Sequence, residues 1–211
     1  MQTPKVFEPG PGAVAALISA HPLALLVSNG GDRLVATPLP LLCEEGQAGD
    51  LTLIGHFARS NPQVGCLRAD PAALAIFMGP HGYISPSWMR DRSQAPTWNF
   101  ACVQLHVRVQ FSDERVEAVD AVERLTSAME NRRARAWSAY ELGPRFDRLI
   151  SGVVPFKAQV LDVTGKFKLG QNERDDVLGD ILSGLVAEGS NALADLMRSA
   201  NDRRAQGSDA C

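Results

Sequence analysis

The clearest periodic stretch of the chain runs from Ala101 to Phe111. Ala101, Val103, Leu105, Val107, Val109 and Phe111 alternate with Cys102, Gln104, His106, Arg108 and Gln110. A period of two is that of a β-strand with one face buried and the other wet or lining a site. Leu23–Ser28 and Leu51–Phe57 read as further strands, and Asn29-Gly30-Gly31 is a hairpin signal returning the chain along Arg33–Cys43. Pro38 and Pro40 interrupt that return strand, which places it at a sheet edge or near a bulge. Ala73–Met78 is a buried strand, and Phe156–Val163, bounded by Pro155 and Gly165, is the last. Helical patterns cover Gly12–Ala20, a short piece opened by Asn61-Pro62, Glu114–Asn131 with Ser112 or Asp113 as N-cap, and Glu173–Met197 with a break at Gly189. Six or so strands with early hairpin links predict a mostly antiparallel barrel carrying helical additions. The first half lacks the strict strand–helix alternation of a doubly wound parallel sheet.

Composition narrows the class. A chain of 211 residues, 45% hydrophobic and 21% charged, fits one ordinary globular domain with a sizeable core. The formal charge of −3 argues against a generally basic nucleic-acid footprint. No apolar run approaches the roughly 18 residues that span a bilayer. Met1–Pro11 lacks the basic-then-apolar order of a signal peptide, so a cytoplasmic protein is expected. Cys43, Cys66, Cys102 and Cys211 are widely spaced and no His sits at metal-ligand spacing, so neither disulfide nor zinc chemistry is expected.

Candidate chemistry concentrates in Gly79–Phe100, which reads Gly-Pro-His-Gly-Tyr-Ile-Ser-Pro-Ser-Trp, a polar link, then Pro-Thr-Trp-Asn-Phe. Rigid turns bearing aromatic faces and hydroxyls suit a planar ligand with polar edges; the alternative is a surface loop whose tryptophans plug the core. Gly55–Pro62 places Arg59, Ser60 and Asn61 where a strand runs into a helix start. That is an anion site, or only a helix cap beside a solvated charge. Gly165–Asn172 sets Lys166 and Lys168 on one side of an extended segment and ends in Gln171 and Asn172. The donor set serves a phosphate or a heterocycle edge, or else the lysines protect a strand edge and Asn172 caps the next helix. Arg132, Arg133 and Arg135 complement a helix C-terminus and lack the aromatic interleaving of a nucleic-acid patch. His81, Ser85, Ser87 and Asp91 are near one another in sequence without a nucleophile elbow, and no dinucleotide or triphosphate motif occurs. His106 is expected to face water.

In their order along the chain, Phe7, His21-Pro22-Leu23-Ala24, the Pro38–Leu42 run, Gly55-His56-x-Ala58-Arg59-x-Asn61-Pro62, Gly79-Pro80-His81-x-Tyr83-Ile84-Ser85-Pro86-Ser87-Trp88, Pro96-Thr97-Trp98-Asn99 and Lys166-x-Lys168-Leu169-x-Gln171-Asn172 resemble the PaiB-type FMN-binding negative transcriptional regulators. The resemblance runs through about Arg174. It implies a mostly β (α+β) fold, an antiparallel split β-barrel of FMN-binding type with peripheral helices and a C-terminal helix. Residues 1–172 would form the barrel domain, 173–200 its helical extension and 201–211 a disordered tail. The cofactor implied is FMN, held near the interface of a homodimer.

Side-chain chemistry then assigns roles within those motifs. Arg59, Ser60 and Lys168 are candidates for the ribityl phosphate. Ser85, Ser87, Thr97 and Asn99 are candidates for ribityl hydroxyls and the ring's polar edge. Trp88 and Trp98 would stack on or wall off the isoalloxazine. Gln171, Asn172, His56 and Asn61 complete the cofactor-binding set, and no metal is expected. Met89, Phe100, Phe167 and Gly170 depart from the family pattern, which has tyrosine, tyrosine, tryptophan and serine there. Each absent hydrogen bond is worth about 0.5–1.5 kcal/mol, so reduced flavin affinity or a different ligand follows. Beside the regulatory reading stand an FMN-dependent oxidoreductase and a non-catalytic haem- or small-molecule-binding barrel. DNA as a partner has no support from charge.

Overall fold

The structure, a computed structural model, describes residues 1–10, 12–47 and 49–208. Its elements are α1 (Ala13–Ala20), β1 (Leu23–Asn29), β2 (Leu34–Pro40), β3 (Leu42–Glu45), β4 (Leu51–Ala58), α2 (Gln63–Ala69), β5 (Ala72–Ile84), β6 (Thr97–Phe111), α3 (Arg115–Glu130), α4 (Arg145–Ser151), β7 (Val153–Lys168), α5 (Asp175–Ala187) and α6 (Asn191–Ser208). The strands form one sheet in the order β2-β1-β5-β6-β7-β4-β3. β1 pairs antiparallel with β2 and β5, and β4 pairs antiparallel with β3 and β7. β2 and β3 remain as edges, so the sheet does not close on itself, as the expected split barrel requires.

The hairpin at Asn29-Gly30-Gly31 forms as expected, with Asn29 opposite Leu34. The single return strand expected over Arg33–Cys43 is two strands instead. The chain breaks at Leu41, a fully buried residue whose N–H donates to the Pro22 carbonyl at 2.9 Å. Pro38 lies in β2, which is an edge, where a missing N–H costs least. The N-cap of α3 is Glu114 rather than Ser112 or Asp113. Asp113 is engaged by two arginines, and the Ser112 hydroxyl accepts from the Glu114 N–H at 3.1 Å. The break in the C-terminal helical pattern is real, with Gly189 at φ +77° between α5 and α6. Helix α6 extends over residues 201–208; the rest of the expected tail, 209–211 with Cys211, lies outside the described residues.

Two compact units interleave along the chain. The first comprises Met1–Leu17, Met78–Val103 and the chain from Thr164 onward; the second comprises Ile18–Phe77 and Gln104–Val163. In the second, Leu26, Leu53, Phe77, Leu105, Val154 and Ala158 build a core around Phe57, Phe111 and Phe156, whose ring centroids are 5.3–5.9 Å apart. There α4, absent from the sequence pattern, buries Phe146 and Ile150 against Ala118 of α3. In the first unit Ile84, Leu169, Val177, Ile181, Leu185, Leu193 and Met197 are buried. Among the described residues no helix is long and apolar enough to cross a membrane, and no group of three or more His, Cys, Asp or Glu is placed to hold a metal.

Candidate functional site

Strands β5, β6 and β7 all run further than hydrophobic patterning predicts, and their extensions carry the candidate residues. Gly79, which opens the turn-rich segment, and Gly165, which bounds the last expected strand, sit inside strands. A Cβ on Gly79 would stand 2.7 Å from Leu17 Cδ1, and one on Gly165 2.4 Å from Pro9 Cγ. These glycines permit close packing rather than chain reversal.

In β5 the inward positions are odd-numbered through Gly79 and even-numbered from Gly82 to Ile84. Gly79 faces Leu17 and Ala101, while Gly82 faces Leu193 and Leu185. One extra residue is therefore accommodated at Pro80–His81, the signature of a β-bulge. Its effect is to turn His81 and Tyr83 outward, where both meet Trp98 of β6. The His81 and Trp98 rings stack with centroids 6.1 Å apart and 28° between planes, and Tyr83 lies 6.2 Å from Trp98. Trp98 is 50% and Tyr83 48% exposed. The three rings form an open aromatic shelf.

Alternation along β6 separates Trp98 from its neighbours. Thr97 and Asn99 project to the opposite face. Asn99 is 2% exposed, and its amide donates to the Met197 sulfur of α6 at 3.6 Å. Thr97 accepts a hydrogen bond from the Lys168 ammonium. The Ser85 and Ser87 hydroxyls are 2.7 Å apart, and Ser85 also accepts from the Ser87 N–H. Trp88 belongs to a short 3-10 turn, Pro86–Trp88; its Nε1 donates to Glu188 at 3.1 Å and its ring meets α5 at Gly184. Gln171 folds back on its own turn, accepting from the Leu169 N–H and donating to the Phe167 carbonyl. Asn172 is exposed. Asp91, close in sequence to the serines, has its carboxyl held well below the usual range by the Ser93 hydroxyl, Gln94, the Ser93 N–H and Arg174. It fastens the 89–96 loop.

The remaining candidates belong to the second unit. Arg59 reaches across to the junction of α4 and β7, where Nε donates to the Ser151 carbonyl at 3.1 Å and a terminal nitrogen to the Val153 carbonyl at 3.0 Å. It also pairs with Asp113 at 3.5 Å. Ser60 is exposed. Asn61 Oδ1 accepts from the Gln63 N–H at 2.9 Å, and Asn61 Nδ2 donates to Thr37 at 3.2 Å. His56 is half-buried, its Nδ1 is buried without a hydrogen-bond partner among the described residues, and burial lowers its pKa from 6.5. Sequence reasoning missed Gln63, which is 2% exposed. Its amide donates to the Leu26 carbonyl and the Ser28 hydroxyl, both at 3.0 Å, and accepts from Thr37 at 2.5 Å. The only available signal was an amide in the first turn of a helix next to a cap.

Within the first unit the donor set fits a flavin mononucleotide. The Trp98 indole is a flat apolar surface edged by a phenol and an imidazole, Lys168 with Thr97 provides a cation beside a hydroxyl, and Ser85 with Ser87 provides two more hydroxyls.

A family model described as "Putative FMN-binding domain" matches residues 1–162. The protein named Protease synthase and sporulation protein PAI 2, from Bacillus subtilis, is 28% identical over 184 residues, which cover 85% of this chain and 87% of that one. Among solved structures, the FAD and heme binding protein from Mycobacterium smegmatis aligns with a TM-score of 0.57 at 17% identity, covering 83% of this chain and 78% of that one. Rv2991 from Mycobacterium tuberculosis aligns with a TM-score of 0.57 at 11% identity, covering 82% and 94%. At such identities the structural likeness is one of fold.

Proposed function

Because the chain belongs to the FMN-binding domain family and its cofactor is FMN, we propose that it is a homodimeric flavin protein which seats the isoalloxazine on the Trp98 shelf and acts in small-molecule redox chemistry. FMN, when bound, supplies hydride or single-electron transfer. The protein's part is to hold and orient it. Trp98 offers a stacking face, Tyr83 a phenolic donor and His81 both a donor and an acceptor nitrogen. Lys168, the last residue of β7, is the cation for a phosphate that reaches round the strand ends from the shelf, with Thr97, the first residue of β6, fixing its ammonium, and Ser85 and Ser87 supply hydroxyls to the ribityl chain. The observation that carries this reading is the exposure of the Trp98 ring of β6 with His81 and Tyr83 of β5 packed against it, both turned outward by the extra residue in β5.

An apolar strip in the second unit supports the homodimer. Leu25 of β1 lies opposite Ile76 of β5 on one side and Pro38 of β2 on the other, and exposed Leu23 and Leu34 extend the strip. An exposed apolar strip of this kind is what a two-fold interface covers. Nothing comparable favours DNA. Arg133 of the basic run pairs with Glu130 at 2.9 Å and continues the helix-end chemistry of α3.

Titration with FMN and with riboflavin, followed by flavin fluorescence, tests the assignment. Trp98→Ala is expected to weaken both ligands about 2- to 10-fold, the range of one aromatic contact. Lys168→Ala is expected to weaken FMN alone, roughly tenfold or more, as for a charged hydrogen bond. Wild-type affinity for both ligands in both variants would remove the shelf from the flavin site. Reduction of the bound flavin by NADH or NADPH faster than free flavin is expected; no acceleration would leave a binding role without redox turnover.

A further inference from the structure

A second depression lies on the sheet in the second unit, lined by none of the residues assigned to the flavin. A groove of about 440 Å³ is lined by Thr52 of β4, Lys157 and Gln159 of β7, Arg108 and Gln110 of β6, and Asp50. Thr52 and Gln159 are directly opposed in the antiparallel pair, and Lys157 with Gln159, like Arg108 with Gln110, are two residues apart and share a face.

The charges in this groove are uncompensated. Arg59, Arg68, Arg90, Arg115, Arg124 and Arg174 are all ion-paired, but neither Arg108 nor Lys157 makes an ion pair or side-chain hydrogen bond among the described residues. Asp50 does not neutralise them; its carboxylate is folded over Gly46, where a Cβ would lie 2.5 Å from Oδ1. Two cations, two carboxamides and a hydroxyl thus converge on one open depression. A guanidinium fork with an ammonium beside it matches the several oxygens of a phosphate better than a single carboxylate. The carboxamides can each donate and accept toward the rest of a small ligand.

We propose that this groove binds a phosphorylated small molecule of nucleoside-monophosphate class, distinct from the flavin. The proposal requires only that the flavin does not occupy this groove. The exposure of the cations makes binding salt-dependent.

The test is calorimetric titration of the FMN-saturated protein with inorganic pyrophosphate and with adenosine 5′-monophosphate. Saturable binding that weakens at least tenfold in Arg108→Gln and in Lys157→Ala, and weakens with added salt, is expected. Flavin absorbance per protomer is expected to stay unchanged in both variants. Absence of saturable binding, or equal affinity in the variants, overturns the proposal. Loss of flavin from either variant also overturns it, because the groove would then hold the FMN phosphate. Preference for a single-stranded oligonucleotide over the mononucleotide overturns the ligand class.

Discussion

The indole of Trp88 lies so close to α5 at Gly184 that a Cβ there would stand 2.4 Å from the ring. The hydrogen bond from Trp88 Nε1 to Glu188, one helical turn further on, fixes the same contact from its polar end. Glycine inside a helix ordinarily costs about 1 kcal/mol relative to alanine, and here close approach of the ring explains its presence. Gly184→Ala gains that propensity and loses about 1–3 kcal/mol to overpacking, so a net destabilisation of about 1 kcal/mol is expected. Urea denaturation with tryptophan fluorescence reads both the stability and the displaced indole. A variant more stable than wild type would show that Trp88 does not occupy this position.

Gly170 stands where the family pattern has serine, and its φ is +80°. A Cβ there would approach Met197 Cε at 3.1 Å and Leu178 Cδ1 at 3.3 Å. Gly170→Ser is therefore expected to cost about 1–2 kcal/mol, the penalty of a left-handed backbone in an L-residue. Restoring the family residue is predicted to lower the melting temperature.

Arg59 joins the end of β4 to the end of α4 and the start of β7 through two backbone carbonyls. Its side chain is 51% exposed, which screens those contacts, so Arg59→Ala is expected to cost about 1 kcal/mol of stability. The ratio of FMN to riboflavin affinity is expected to stay unchanged. A selective fall in FMN affinity would instead place the phosphate at Arg59.

His56 makes stability depend on pH. Burial lowers its pKa in the folded protein below 6.5, so below that pH the unfolded chain binds the proton more readily. Stability is expected to decline as pH falls from 6.5 toward the lowered value, and to level off beneath it. In His56→Phe that part of the slope should vanish in denaturation curves taken between pH 7 and about 5. An unchanged slope would assign it to other groups.

Strand β1 and its hairpin, the core of β6, helix α3 and the Gly189 break were legible because period and turn chemistry are local signals. The extensions of β5 and β7 were not, because Gly79 and Gly165 look like turns in sequence and only the packing of Leu17 and Pro9 shows their purpose. Motif residues were found, but motif membership does not say which way a side chain points. Thr97, Trp98 and Asn99 are consecutive, yet strand geometry sends Trp98 to one face and the other two to the opposite one. Helix α4 escaped notice because seven residues are too few to display a helical period.

The additional residue at Pro80–His81 ties the outward rings to an irregularity of the strand rather than to plain alternation. Straightened at unchanged length, the same sequence would carry His81 and Tyr83 into the interior and push Gly82 and Ile84 out to solvent. Deletion of Pro80 would instead restore regular alternation with both rings still outward. The shelf therefore depends on the path of the strand as much as on the identity of its rings.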